Sequence, residues 1–309
     1  MKMLQRFFFL LLALIPLALL FLYFSPRSDE ALRQKFLTEY QIFSPPLPDS
    51  LDFAGEQVPL NQFDVRERIE REFLVNTYWQ SQTILLLKRS ARWFPVLDSI
   101  LIKNNIPTDF KFLAAAESGL INIVSPAGAV GYWQFLKATG KKYGLEINDE
   151  IDERYHVEKS TEAACQYFRK AYETFNSWSL VAASYNMGMD GLENQIEKQK
   201  VTSYYDLLLN DETFRYVARI IAMKEILTYP EKYGFHIRKK DLYSPYQYSD
   251  ICIDNSVDDL AELALSQNIN YKKLKLLNPW LRQNTLTDKS GKSYFIKILQ
   301  QEYTGILSE

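Results

Sequence analysis

Apolar residues divide the chain into three zones. The first is an unbroken apolar run from Phe7 to Phe24, preceded by Lys2 and Arg6 and followed by Ser25, Pro26 and Arg27. A run of about 18 residues is close to the length that crosses a bilayer core, Pro16 is tolerated in a membrane helix, and no small-x-small cleavage site closes the run. The expectation over residues 1–26 is therefore an uncleaved membrane anchor. A cleaved export signal is the alternative, and a buried soluble helix is the plain reading. No Cys follows the run, which argues against a lipid anchor. Positive charge retained on the cytoplasmic side places the rest of the chain outside it, on the periplasmic side of a cell envelope.

The second zone has helical periodicity. Asp29–Tyr40 reads as a short helix and Ser44-Pro45-Pro46-Leu47-Pro48 as linker. From Asp64 to Asn104, Val65, Ile69 and Phe73, then Phe94, Leu97, Ile100 and Leu101, recur at helical spacing. Pro107 stops that stretch, Thr108 is placed to cap a helix over Asp109–Ser118, and Gly119 to terminate it. Ile121–Gly131 is rich in turn residues. Helices are expected again over Tyr132–Tyr143, Thr161–Phe175, Ser179–Met187 and Glu212–Tyr229, the last closed by Pro230.

The third zone breaks the pattern. Tyr246–Ile253 and Lys292–Leu299 read as short strands around helices at Asp258–Gln267 and Tyr271–Leu277. This β-α-α-β order predicts a small separate α+β domain behind a mainly α body.

Composition narrows the function classes. Hydrophobic residues are 47% and charged residues 24% of the chain, so it has the material for a core. The net charge of −2 argues against nucleic acid as a partner. Cys165, Cys252, His156 and His236 are isolated, so no metal or other cofactor is expected, and two buried free thiols are preferred over a disulfide. With 20 Tyr, 19 Phe and 5 Trp, the chain could simply fill a core, but sugar grooves also use aromatic faces.

Glu117 is the first candidate for chemistry. It follows Leu113-Ala114-Ala115-Ala116 near the end of an apolar helix. The negative helix end and the apolar neighbours both disfavour an ionised carboxylate and push its pKa upward. A carboxylic acid protonated near neutral pH is what a general acid requires. The plain reading is a glutamate facing water at a helix end, and spacing alone favours it.

A set of motifs changes that balance. Ala116-Glu117-Ser118-Gly119, then Gly131-Tyr132-Trp133-Gln134-Phe135, then Ala183-Ser184-Tyr185-Asn186-Met187-Gly188, then Glu212 with Tyr216-Val217, follow one another in the order and spacing that the soluble lytic transglycosylase family shows. The chain resembles that family over about residues 76–235. The resemblance implies a lysozyme-like helical catalytic domain (76–240) behind a lead-in and linker (27–75), acting on peptidoglycan glycan strands. It implies Glu117 as general acid and then base, and Ser118 orienting the sugar near the cleaved bond. Gln134 would hydrogen-bond substrate, with Tyr132 and Trp133 shaping the groove wall. Tyr185 and Asn186 would contact the N-acetylated sugar, and Tyr216 would hold Glu117. The plain readings are core for Trp133 and Phe135, packing for Met187, and a helix C-cap for Asn186.

Most glycosidases use two carboxylates, yet no Asp or Glu occurs from Ser118 to Leu145. Asp190 or Glu212 could fold back to supply one. A lone acid suits a non-hydrolytic cleavage in which the sugar's own 6-hydroxyl closes on C1 to leave a 1,6-anhydro end. The alternatives are a hydrolytic muramidase on the same fold, or a peptidoglycan-binding scaffold without activity. A cytoplasmic helical interaction protein is disfavoured by the N-terminal run. Residues 246–300, through Leu260-Ala261, Tyr271, Leu274, Leu277-Asn278-Pro279 and Tyr294-Phe295-Ile296, resemble a LysM peptidoglycan-binding module, although Asp254-Asn255-Ser256-Val257 stands where such modules carry Gly-Asp-Thr.

Overall fold

The computed structural model describes residues 42–287 and 291–300, together with Gln34, Leu37 and Thr38, which are helical. The apolar run at 7–24, and most of the helix expected over 29–40, lie outside the described residues. Among the described residues no helix is long and apolar enough to cross a membrane.

From residue 45 onward the chain forms one unit. A two-residue hairpin, β1 (Asp52–Phe53) with β2 (Glu56–Gln57), precedes the helical body. The expected helical stretch at 64–104 is two helices, α1 (Phe63–Tyr78) and α2 (Gln80–Lys103), broken where Trp79 leaves helical backbone at φ −88, ψ 55. Pro95 sits inside α2 on its exposed side. α3 (Phe110–Ser118) buries Phe110, Phe112, Leu113, Ala114 and Ala115 and ends at Gly119 in the left-handed region, as its sequence predicts. Thr108 gives it no side-chain cap. The Asp109 carboxylate turns instead to Lys224 and the Ala54 N–H.

The helix expected over Tyr132–Tyr143 shrinks to α4 (Lys137–Lys142). Gly131 and Gln134 both have positive φ, 83° and 49°, and the Val130 and Phe135 backbones exchange hydrogen bonds of 3.0 and 3.1 Å across the loop between them. The apolar residues there fill the core from a tight loop, not from a helical stripe. α5 (Val157–Phe175) and α6 (Trp178–Met187) fall close to expectation. α7 (Met189–Gln199) was not legible, since only Leu192 on it is buried. α8 (Asp211–Thr228) is the central helix and packs on α1, α3 and α6.

Two ion clusters fix α8. Glu72 of α1, only 1% exposed, accepts from Arg71 and from Arg215 at 3.0 Å, and pairs with Arg219 at 3.7 Å. Further along, Lys224 reaches Asp109 at 2.6 Å and Asp52 at 2.8 Å, joining α8 to the start of α3 and to the hairpin. The hairpin also supplies Glu56, whose carboxylate accepts from the Trp178 and Ser179 N–H groups at the start of α6. A carboxylate suits a helix N-terminus, where unpaired donors and the dipole favour negative charge.

The C-terminal module consists of β3 (Tyr248–Ile253) paired antiparallel with β4 (Tyr294–Leu299), enclosing α9 (Leu260–Ser266) and α10 (Tyr271–Leu277). It packs directly against the helical body. Ile151 of the body enters its core beside Leu274, Trp280 and Leu281, and Glu150 accepts from Thr285 and the Thr287 N–H. The Asp152 N–H donates to the Trp280 carbonyl at 2.9 Å, and Lys297 pairs with Glu158. Cys165 is buried and free, but Cys252, expected buried, is exposed because it lies on the outer face of β3.

Gly131 has the tightest glycine environment in the body. A Cβ there would lie 2.0 Å from the Arg154 carbonyl oxygen, on backbone already at φ +83. Gly131→Ala should cost about 3 kcal/mol or more, a loss of roughly 6–12 °C in Tm. Gly128→Ala has a similar φ and open space, and should lose only about 1 kcal/mol. Thermal unfolding followed by circular dichroism checks the pair, and equal small shifts in both would contradict the close approach.

Candidate active site

Glu117 stands in the last turn of α3, where the fully buried Ala114 and the nearly buried Ala115 let α8 lie close. From α8 the Tyr216 hydroxyl donates to Glu117 Oε1, joining residues 99 positions apart. Burial raises the Glu117 carboxyl from 4.5 to about 7; the Tyr216 hydrogen bond and the Arg219 charge pull it down, and the Glu212 charge pushes it up. Burial wins. The upward shift expected from the apolar helix end is present, and the phenol supplies a fixed donor beside it. Burial and the adjacent carboxyl also hold the Tyr216 phenol well above its usual range, so it remains a donor.

Tyr185 and Asn186 arrive from the end of α6. The Tyr185 ring packs against Trp133, Phe135, Tyr167 and Phe168, and its hydroxyl donates to the Trp133 carbonyl at 2.6 Å. Asn186 is not a helix cap, since Gly188 ends α6. Its Oδ1 accepts from Thr213 Oγ1 at 2.7 Å and its Nδ2 donates to Glu212 Oε1 at 3.3 Å. Thr213 is held in turn by Asn210, which caps α8 by accepting from the Thr213 N–H. Glu117, Tyr185, Asn186 and Tyr216 are thus gathered from three helix segments.

The other two predicted residues serve the adjoining turns. Ser118 is buried; its Oγ donates to the Ala114 carbonyl at 3.1 Å and accepts from the Leu120 N–H at 3.2 Å, fixing the chain reversal beside Glu117. Gln134, in left-handed backbone, donates through Nε2 to the carbonyls of Gly131 and Ile123. Trp133 is fully buried, with its indole N–H on Thr161 Oγ1 at 2.8 Å, so it belongs to the core and not to a groove wall. Tyr132 is buried as well and packs edge-on against Trp93. Met187 packs on the core.

Three residues around the site, Glu72, Arg219 and Thr213, escaped the sequence reading. Glu72 and Arg219 carry no local signal, because their pairing crosses from α1 to α8. Thr213 likewise acts across elements, its hydroxyl reaching from α8 to Asn186 at the end of α6. Of the two acids considered as a second carboxylate, Glu212 comes near, while Asp190 lines a separate depression with Tyr143 and Gln166. Among the described residues, no three His, Cys, Asp or Glu side chains are grouped to hold a metal ion.

The raised carboxyl has a sign that can be tested. The fold holds this proton more tightly than the unfolded chain does, so the group's contribution is fully present below about pH 4.5. It is lost as pH rises through about 7. Glu117→Gln lacks the effect and should gain on the native chain across that window, by on the order of 1–3 kcal/mol. Urea unfolding at pH 4.5 and pH 8 checks this. A stability difference that does not change with pH would contradict the raised acid.

Comparison with known proteins agrees with the geometry. Residues 100–208 match the family model described as Transglycosylase SLT domain. Residues 249–302 match the model described as Soluble lytic transglycosylase C-terminal LysM-like domain. The Membrane-bound lytic murein transglycosylase D of Escherichia coli, in two strains, is 30% identical over 198 residues, covering 62% of this chain and 43% of the relative. The chain therefore spans less than half the length of the curated relatives it matches. Glu117, Tyr185 and Asn186 lie inside one matched region and the β3–α9–α10–β4 module fills most of the other, so the chain is similar to a transglycosylase SLT domain followed by the C-terminal LysM-like domain of soluble lytic transglycosylases.

Proposed function

We propose that this protein is a peptidoglycan lytic transglycosylase, cleaving the β-1,4 bond between N-acetylmuramic acid and N-acetylglucosamine without consuming water. The observation that carries the reading is the Glu117 carboxyl inside the SLT match, half-buried, hydrogen-bonded by Tyr216 and raised to about 7. A carboxyl raised from 4.5 to about 7 can both give and take a proton near neutral pH, the poise that general acid–base catalysis favours.

In the first step the Glu117 proton passes to the glycosidic oxygen as the C1–O bond breaks, assisted by the substrate's own acetamido group. Glu117, now a carboxylate, takes the proton of the muramic 6-hydroxyl. That oxygen closes on C1, giving the 1,6-anhydro end, and Glu117 regains the proton with which it began. Tyr216 steadies Glu117 in both states, because its donated hydrogen bond strengthens when the carboxyl becomes charged. Asn186, fixed by Thr213 and Glu212, presents an amide beside the acid for an N-acetyl group. Ser118 and Gln134 keep the adjoining turns in place, and Ser118 meets the sugar only if its backbone bonds are exchanged.

Glu212 favours a second reading. Its carboxylate lies near enough to raise Glu117, and a base so placed could activate water, giving a hydrolytic muramidase with reducing ends. Its hydrogen bond from Asn186 ties it to positioning instead. The envelope location, and membrane attachment through residues 1–26, belong to the same proposal and rest on the apolar run and on the membrane-bound relative.

The test compares wild type and Glu117→Gln on purified sacculi, with released muropeptides read by mass spectrometry. Wild type should release 1,6-anhydro products. The variant should stay folded, still pellet with sacculi, and lose activity by about 10²–10⁴-fold or more. Reducing ends from wild type would establish hydrolysis, and anhydro products from the variant at more than a few per cent of the wild-type rate would remove Glu117 as the acid.

A further inference from the structure

Behind the turn that ends α3 lies a cavity of about 340 Å³, between the helical body and the LysM-like module. That size falls within the range of small-molecule sites, roughly 300–1,000 Å³. One wall is the α2 face carrying Arg89, Arg92, Trp93 and Val96, at helical spacing. A second is Leu120–Asn122, the segment just past Glu117, and the module closes the far side with Trp280 and Lys297. The cavity is separate from the cluster around Glu117, but the two share the Gly119 turn, whose carbonyl accepts from Arg89 at 3.1 Å.

Its charge is uneven. Glu158 is the only carboxylate among the lining residues, and it is already taken by Lys297 and His156. Arg89 and Arg92 have no acidic partner among the described residues. Arg89 donates to the Gly119 carbonyl; Arg92 donates to the Ser244 carbonyl at 2.8 Å and the Tyr246 hydroxyl at 2.8 Å, with its guanidinium 4.1 Å from the Tyr246 ring centroid. Both are half-buried. A guanidinium has five N–H donors, so each keeps donors to spare. Two half-desolvated cations without a counter-charge, among Trp93, Tyr132 and Trp280, fit a ligand with a carboxylate and an apolar body.

We propose that this cavity is a carboxylate-binding subsite that takes the peptide stem of peptidoglycan, Arg92 meeting a stem carboxylate while the aromatic walls cover the aliphatic part. The choice of peptidoglycan rests on the function proposed above. Where a stem is attached the lactyl carboxyl is an amide, so the sugars are uncharged and the carboxylates are carried by the peptides. A strand held over Glu117 brings a stem to the neighbouring side of the Gly119 turn, so the subsite favours stem-bearing strands over naked ones.

The experiment uses the full chain and the tripeptide L-alanyl-γ-D-glutamyl-diaminopimelate, with calorimetry and Trp fluorescence as readouts, because Trp93 and Trp280 line the cavity. Two variants are compared. Arg92→Gln keeps a donor for Ser244 but removes the charge, and Val96→Trp fills the space; circular dichroism verifies folding of each. The tripeptide should bind wild type, and its carboxyl-amidated form should bind at least about tenfold more weakly, as should the native tripeptide to Arg92→Gln. Val96→Trp should lose binding. Triacetylchitotriose, an uncharged sugar probe, should bind wild type and both variants alike.

No binding of the tripeptide to wild type, or equal binding to all three proteins, overturns the proposal. Chitotriose binding that Val96→Trp abolishes makes the cavity a sugar site and overturns it as well. Anhydro-product release from sacculi is measured separately. If that release is absent while charge-dependent tripeptide binding persists, the function reading fails and the subsite stands; the reverse result fails the subsite alone.

Discussion

A carboxyl group removed from water at the end of a helix is unfavourable when ionised, and the body of this protein is arranged around tolerating one. Glu117 lies where the α3 dipole is negative and the neighbours are alanines, so burial alone favours the neutral acid. A fully apolar surround would hold the proton too firmly for it to be given away. The Tyr216 hydroxyl and the Arg219 charge oppose burial and bring the group to about 7. The balance depends on α8 being held at a fixed distance and rotation.

That placement explains two clusters that otherwise look like structural ornament. Glu72 is a nearly inaccessible carboxylate, costly to bury unless several donors satisfy it. Arg71, Arg215 and Arg219 do so, and the last two pin the α8 segment that carries Tyr216 to α1. Lys224 secures the same helix to Asp109, at the opposite end of α3 from Glu117. The Glu56 carboxylate anchors the start of α6, whose far end presents Tyr185 and Asn186. Apart from Asp109, which starts the same helix, these contacts are remote from Glu117 along the chain, and each fixes an element that reaches it.

Local signals in the sequence account for the helices that bury a regular stripe, for the Gly119 stop and for the order of the C-terminal strands. Glu117 was legible as a candidate because its neighbours are apolar, and the ordered motifs brought Tyr185, Asn186 and Tyr216 with it. What failed to read through was in part local backbone conformation and in part contact between segments distant in the chain. Tyr132–Phe135 looks helical in composition, but Gly131 and Gln134 adopt positive φ and turn those residues inward as a loop. α7 is too polar to announce itself. Nothing in the sequence shows Ile151 entering the core of the C-terminal module or Glu150 binding Thr285. Cys252 looked like a core residue by type, yet strand alternation puts it outside.

The central claim is that the fold holds the Glu117 carboxyl protonated to near neutrality while Tyr216 restrains that rise. Carbon-13 NMR of glutamate carboxyls observes it directly, with the Glu117 signal assigned by its absence from Glu117→Gln. The account predicts a titration midpoint near 7, moving higher in Tyr216→Phe because the hydrogen bond that favours the charged form is lost. A midpoint near 4.5, unchanged by Tyr216→Phe, would contradict it.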